Sequence, residues 1–327
     1  MSTLTVTTIQ ADLQWEDKAA NFRRLEEKID GIIGDTELII LPEMFSTGFS
    51  MRPEAFAEQM DGPAVSWMRS IAARRKVILT GSLIIEEDGN YFNRLVWMLP
   101  NGQYGCYDKR HRFAYAGEDD HYAAGQRRLV ASVKGWKILL LICYDLRFPV
   151  WSRQTPPEHV PASASISNYG EFAPIKPTAK TDTPPTPLVT GPTPTPAPPS
   201  PPNTPAKPST RASDNPASPA AAPPLEYDLI LYVANWPERR SHAWKTLLQA
   251  RAIENQSYVI GVNRVGADGN GITHSGDSMI IDPLGETLYH AGPTEDVFTL
   301  TLTKDHLSTI RQRFPFWRDA DHFYIEP

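Results

Sequence analysis

A proline-rich segment in the middle of the chain most constrains how this sequence can fold. Residues 155–225 contain 21 of the chain's 31 prolines, among many Ala, Thr and Ser. Because proline fixes φ and has no backbone N–H, neither a helix nor a sheet can extend through such a segment. With few large apolar residues, it cannot offset the entropy lost on ordering. We therefore predict a disordered insertion; its PxxP sequences could bind SH3-type modules, but a passive linker is favoured.

The two flanking segments, 1–154 and 226–327, share one pattern of strands and helices and are predicted to form a single domain. Strands are expected at Leu4–Ala11, Glu37–Leu41, Val77–Glu86, Tyr91–Leu99, Lys137–Cys143, Leu229–Ala234, Tyr258–Asn263, Ser278–Asp282 and Asp296–Leu302. Helices are expected at Asn21–Ile33, Pro63–Arg75 and Ser241–Asn255. Long hairpins among α/β units predict an α/β fold of stacked sheets covered by helices.

Charge and cysteine content exclude several classes of protein. The net charge of −6 repels phosphate backbones, so nucleic acid is not expected as a partner. Two cysteines, Cys106 and Cys143, are too few for a disulfide framework. The first residues do not follow the pattern of a signal peptide, and the longest apolar run, 138–143, is too short to cross a bilayer. We expect a cytoplasmic protein that does not bind membranes.

Three residues at or near predicted strand ends are candidates for chemistry. Cys143 ends an apolar strand, and Glu43 follows another, which puts both at the sheet edge where α/β proteins bind ligands. Lys109 stands in a short run of charged residues. Taken singly, each has a simpler explanation: a buried core cysteine, a solvated carboxylate and a surface charge. Composition and spacing do not separate these alternatives.

The strings around the three residues are more informative than the residues themselves. They are 41–45 (LPEMF), 107–111 (YDKRH) and 142–149 (ICYDLRFP). In this order they resemble the Glu, Lys and Cys motifs of the nitrilase superfamily of carbon–nitrogen hydrolases. The strings at 232–237, 250–255 and 263–266 also match the superfamily, so the resemblance covers both flanks. It implies a four-layer α-β-β-α sandwich.

The resemblance also implies roles for particular residues. Cys143 would be the nucleophile that forms a thioester with the amide carbon, and Glu43 would be the base that deprotonates it. Lys109, with the backbone N–H of Tyr144, would bind the oxyanion. Glu118 matches a second glutamate that orients the lysine, although two aspartates follow it directly. No metal or organic cofactor is implied, and the histidines show no metal-ligand spacing.

The substrate contacts follow less directly from the sequence. Arg147 is the nearest candidate partner for a substrate carboxylate, but a structural salt bridge to Asp145 would explain it equally well. Aromatic residues near the motifs could form the pocket wall or belong to the core: Phe113, Tyr115 and Trp236.

The details of the strings resemble most closely the omega-amidase branch, which hydrolyses 2-oxoglutaramate and 2-oxosuccinamate. A small-molecule amide is therefore the expected substrate. Another small-amide or carbamoyl hydrolase is the alternative, and so is a catalytically silent scaffold that uses the proline-rich insertion. The resemblance further implies a homodimer formed near the α-helical junction from which the insertion leaves, so the insertion bears on that contact.

Overall fold

The structure is a computed structural model that describes residues 2–154, 225–321 and 323. The predicted insertion, 155–225, lies outside the described residues except for Leu225. Its disorder, and the division of the chain into one domain with an insertion, therefore stay predictions.

A first mixed sheet is formed by strands from both flanks. Its strands are β1 (Thr3–Gln10), β2 (Leu38–Ile40), β3 (Ile78–Glu87), β4 (Asn90–Met98), β5 (Tyr104–Asp108) and β14 (Asp296–Thr303). Within the described residues the order is β14-β1-β2-β3-β4-β5, and β1, β2 and β3 are parallel. Since β4 is antiparallel to both β3 and β5, the strands β2 and β5 end at the same edge of the sheet.

A second mixed sheet has the same number of strands. These are β6 (Leu129–Val133), β7 (Trp136–Ile142), β8 (Leu229–Val233), β9 (Tyr258–Val262), β12 (Met279–Ile281) and β13 (Thr287–His290), in the order β13-β12-β9-β8-β7-β6. A separate hairpin joins β10 (Val265–Ala267) to β11 (Thr273–Ser275). The central strands β7, β8 and β9 are parallel, so β7 and β8 also end at a common edge.

Helices cover the outer face of each sheet. The longer ones are α1 (Lys18–Asp30), α3 (Pro63–Arg75), α6 (Ser241–Asn255) and α7 (Lys304–Arg313), and the short ones are α2 (Pro53–Phe56), α4 (Glu118–His121) and α5 (Pro149–Ser152). Alternate residues of β1 and β2 face opposite sides: Val6 and Ile40 pack against the second sheet, while Ile9 and Ile39 pack against α1 and α3. Because α6 packs on β9 and β12, the layers follow the expected α-β-β-α order.

The predicted elements agree with the observed ones in type, and the four-layer fold is confirmed. Helices α3 and α6 begin and end at the predicted residues. The first helix was predicted to begin at Asn21 and begins at Lys18, because the side chain of Asp17 accepts a hydrogen bond from the N–H of Ala20 (2.9 Å) and caps the helix. Unpredicted elements include β5, β6, β13 and α7, which are short or largely polar. No helix in the described part of the chain is both long and apolar enough to span a membrane.

We expect Gly261 in β9 to be required for the packing of α6. A Cβ at this position would lie 2.6 Å from Leu248 Cδ1 and 2.7 Å from Trp244 Cζ2, both inside the core. Gly261→Ala should therefore lower the free energy of unfolding by about 1–3 kcal/mol, as overpacked cores do. Gly292→Ala is the matched control, because nothing lies within 4 Å of the added Cβ. Urea unfolding of both variants tests this, and equal midpoints would contradict it.

Candidate active site

The ends of strands β2, β5 and β7 bring the three motif residues to one place. Lys109 directly follows β5, Cys143 directly follows β7, and Glu43 lies three residues beyond β2. Cys143 itself and Met44, next to Glu43, have left-handed backbone conformations, with φ of 42° and 43°. Such conformations are rare for residues with a side chain and cluster at functional sites. Here they make the chain turn sharply where the two side chains enter the site.

Glu43, Lys109 and Glu118 form one buried hydrogen-bonded cluster. Lys109 Nζ donates to Glu43 Oε1 (2.9 Å) and to both carboxylate oxygens of Glu118 (3.0 and 2.9 Å). The three residues are 0%, 1% and 0% exposed, respectively. Burying an ammonium and two carboxylates costs much free energy unless most of their polar atoms are hydrogen-bonded. The aspartates after Glu118 are exposed, so Glu118 alone of that acidic run enters the site.

Two asparagines that the sequence analysis did not identify complete the cluster. Asn93 Nδ2, from β4, donates to Glu43 Oε1 (2.8 Å) and Glu118 Oε1 (3.2 Å). Asn235, just past β8, donates its backbone N–H to Glu43 Oε2 (2.7 Å) and its side-chain amide to the Glu43 carbonyl (2.6 Å). Asn93 is a polar residue inside a buried hairpin strand, which is a signal that could have pointed to it. Asn235 lies in the string 232–237 that matches the superfamily.

The electrostatics of the cluster fix which groups are protonated at rest. Burial alone would lower the pKa of Lys109, but the carboxylates of Glu118 and Glu43 outweigh it and raise that pKa, so the ammonium stays charged. Burial raises the pKa of Glu118, against the opposing attraction of Lys109. Burial and the carboxylate of Glu43 raise the pKa of the Cys143 thiol well above its usual value, although Lys109 acts in the opposite sense. At neutral pH Cys143 is therefore a thiol, within hydrogen-bonding reach of the Glu43 carboxylate.

Asp145 joins the turn after Cys143 to the segment around Lys109. Its carboxylate is buried and accepts hydrogen bonds from Tyr107 Oη (2.7 Å), from the N–H of Ile142 (3.0 Å) and from the N–H of His111 (3.0 Å). His111 Nδ1 lies a further 2.8 Å from the same carboxylate. Because these partners occupy Asp145, the salt bridge to Arg147 considered from the sequence is not formed.

A cavity of about 210 Å³ opens onto Cys143. All five residues named as possible substrate contacts line it: Phe113, Tyr115, Tyr144, Arg147 and Trp236. The guanidinium of Arg147 lies over the ring of Trp236, 5.0 Å from its centroid. The sequence analysis missed several further lining residues, among them Arg239, Arg240 and His274. The two arginines lie two and three residues beyond the string 232–237, which was their only signal in the sequence.

Neither metal-ligand side chains nor the second thiol forms a further site among the described residues. Among residues 2–154, 225–321 and 323, no three His, Cys, Asp or Glu side chains are grouped as metal ligands. Cys106, the other free thiol, lies on β5, and burial raises its pKa to about 12, which leaves it unreactive at neutral pH.

Comparisons with known proteins agree with this geometry. The sequence model of the carbon–nitrogen hydrolase family matches residues 5–163 and 224–312. The chain is 35% identical to the omega-amidase YafV of Escherichia coli (strain K12) over 326 residues, covering 99% of this chain and 100% of that protein. It is 24% identical to the 2-oxoglutaramate amidase of Bacillus subtilis (strain 168) over 318 residues, covering 96% of each.

A solved structure shows the same fold. XC1258 from Xanthomonas campestris, described as a CN-hydrolase superfamily protein with an arsenic adduct in its active site, is similar with a TM-score of 0.79. It is 35% identical, and the match covers 100% of both chains.

The protonation state of Cys143 can be tested by titrating its thiolate. In a Cys106→Ser background, the ultraviolet absorbance of the Cys143 thiolate should appear only above the ordinary thiol pKa of about 8.5, because burial and Glu43 disfavour the anion. Glu43→Gln removes the neighbouring negative charge and should shift the transition to lower pH. The variant that also lacks Cys143 gives the background absorbance. A transition below neutral pH without the Glu43 substitution would contradict the expectation.

Proposed function

The chain belongs to the carbon–nitrogen hydrolase family and is an amidohydrolase, and on that premise we propose that it hydrolyses the terminal amide of a small 2-oxo-dicarboxylic acid monoamide. 2-Oxoglutaramate and 2-oxosuccinamate are such substrates. The observation that most supports this is the cavity itself. Its lining includes the Cys143 thiol, three arginines and Asn235, whose backbone N–H donates to Glu43 of the buried cluster. The relatives named omega-amidase and 2-oxoglutaramate amidase agree with this substrate class.

The first half of the proposed reaction forms a thioester. The Sγ of Cys143 attacks the amide carbon while its proton passes to Glu43, the carboxylate within hydrogen-bonding reach. The carbonyl oxygen becomes an oxyanion, which Lys109 Nζ and the backbone N–H of Tyr144 stabilise. Tyr144 is the second residue of the helical turn Cys143–Arg147, where no carbonyl of the same turn accepts its N–H. Glu43 then protonates the nitrogen, the C–N bond breaks and ammonia leaves.

The second half hydrolyses the thioester. Glu43, again a carboxylate, takes a proton from a water molecule that attacks the thioester carbon. The same two donors stabilise the second oxyanion, the C–S bond breaks, and the proton held by Glu43 returns to Cys143. Glu118 keeps Lys109 in place throughout, because both of its oxygens accept from Nζ while its Oε2 also accepts the N–H of Phe113 (2.5 Å). The sum of the two halves is amide plus water giving acid plus ammonia.

The remote end of the substrate would lie among the lining arginines. A 2-oxo acid monoamide has a carboxylate at the end opposite the scissile amide. Arg147, held over Trp236, offers that carboxylate the paired N–H donors of a guanidinium. Phe113 and Trp236 provide apolar walls for the methylene carbons between the two ends.

Ammonia release from 2-oxoglutaramate tests the proposal. Cys143→Ala should lower kcat roughly ten-thousandfold or more, because no other group in the cavity replaces the nucleophile. Cys106→Ala is the matched control and should leave turnover unchanged, since Cys106 lies on β5 outside the cavity. Cys143-dependent turnover of other amides only would retain the mechanism and reject the substrate. Failure of folded protein to hydrolyse any amide would favour the scaffold alternative.

We further propose that the protein is a cytoplasmic homodimer. Both of its cysteines are free thiols, as a reducing compartment permits. The large apolar side chains of Val150 in α5 and Ile253 in α6 are each 54% exposed, and Arg153 Nη1 joins the two segments by donating to the carbonyl of Glu254 (2.6 Å). A second copy of the chain would cover them, in agreement with the dimer surface that the family resemblance implies.

Light scattering coupled to gel filtration tests the dimer. The expected mass is twice the chain mass of 36.5 kDa, and Ile253→Lys should reduce it to that of one chain, since a buried ammonium would lack a partner. Ile33→Lys is the matched control, because Ile33 is 95% exposed and follows α1. That helix packs on the first sheet, whereas α6 packs on the second. A single-chain mass for the unsubstituted protein would reject the dimer.

A further inference from the structure

Arg240 is held firmly at the cavity. It ends the helical turn Glu238–Arg240, and its carbonyl accepts a hydrogen bond from Trp236 Nε1 (2.8 Å). Its guanidinium lies over the ring of Phe113, 4.8 Å from the centroid. The backbone and the side chain are thus both fixed by aromatic residues of the cavity wall.

The cations of the cavity have no anionic partner among the residues that the structure describes. Arg147, Arg239 and Arg240 all line it, and none of them forms an ion pair with any residue in the described ranges. The pKa of Arg240 is lowered by burial and by the nearby charges of Arg239 and Arg147. A guanidinium in this position is therefore stabilised when an anion binds.

The remaining titratable side chains of the wall do not balance these charges. Asp268 is the single carboxylate among the lining residues, and its Oδ1 already accepts the N–H groups of Asn270 (2.8 Å) and Ile272 (2.9 Å). His274 is also in the wall, and burial with repulsion from Arg264 lowers its pKa to about 4, so it is neutral at physiological pH. Three arginines against one aspartate give the described part of the cavity wall a net positive charge.

We infer that Arg240 is a specificity-determining residue that, together with Arg147, makes the enzyme select 2-oxo acid amides against the corresponding 2-amino acid amides. This inference rests on the proposed function. In a 2-oxo acid amide, the carboxylate and the adjacent carbonyl oxygen are both hydrogen-bond acceptors, which two guanidiniums can satisfy together. In the 2-amino acid amide, an ammonium replaces the carbonyl. The ammonium is a hydrogen-bond donor, so it cannot accept from the guanidiniums. It is also a cation, so the guanidiniums repel it.

Three substrates distinguish recognition of the carboxylate and 2-oxo group from hydrolysis of the amide itself. They are 2-oxoglutaramate, L-glutamine and the uncharged butyramide. Ammonia release gives kcat/KM for each. We expect the unsubstituted enzyme to prefer 2-oxoglutaramate to glutamine by about a hundredfold or more, as sites with dedicated polar partners do. Arg240→Gln should reduce this preference by about tenfold, mainly through a higher KM for 2-oxoglutaramate, and affect butyramide turnover much less, because butyramide has no carboxylate. Arg240→Lys should retain part of the preference, because it keeps the charge and loses the paired donors.

The matched control is Arg74→Gln, which removes one positive charge from the exposed surface of α3, and it should leave all three rates unchanged. An unchanged preference in Arg240→Gln would overturn the inference while leaving the proposed function in place. Loss of butyramide turnover in Arg240→Gln would also overturn it, because Arg240 would then support the fold or the nucleophile. If the unsubstituted enzyme did not prefer 2-oxoglutaramate to butyramide, the proposed substrate class itself would be wrong.

Discussion

The buried ammonium of Lys109 is the interaction on which the rest of the site depends. Two carboxylates, Glu43 and Glu118, would repel each other strongly in a desolvated interior, and Lys109 lies between them within 3.0 Å of each. Removing Lys109 would leave two buried carboxylates without a compensating charge, which is far more costly than replacing the whole ionic cluster. The cluster also receives Asn235 from the second sheet, so it links the two sheets at their common edge.

The same cluster determines the resting state of the nucleophile. Negative charge at Glu43 and burial keep Cys143 protonated, while Lys109 alone favours the thiolate. A thiol is a weaker nucleophile than a thiolate and is oxidised less readily. The geometry therefore suits a nucleophile that is deprotonated during attack, when the proton moves to an adjacent carboxylate and the new negative charge forms next to Lys109.

Much of the fold was predictable, because local signals define its elements. The helices at Pro63–Arg75 and Ser241–Asn255 were predicted correctly at both ends. Proline at the first position marks the start of the former, and the spacing of apolar residues indicates the latter. Strand β5 was missed, although Lys109 directly follows it, because its five residues include Gly105 and do not alternate clearly between apolar and polar. The partners of Asp145 and the asparagine partners of Glu43 were also missed, since hydrogen bonds between distant segments leave no local pattern.

The sequence by itself determined which side chains could perform the chemistry. It also indicated that the segments before and after the insertion share one α/β pattern of strands and helices. Glu43, Lys109 and Cys143 lie in short strings whose order and composition are readable along the chain. Only the tertiary structure decided how these groups meet. Glu43 and Asn235 are 192 residues apart in sequence, and their hydrogen bond forms because two separate sheets end at a common edge. The arginines of the cavity became distinguishable from ordinary surface charges for the same reason: the absence of a partner is a property of packing, which residue order does not record.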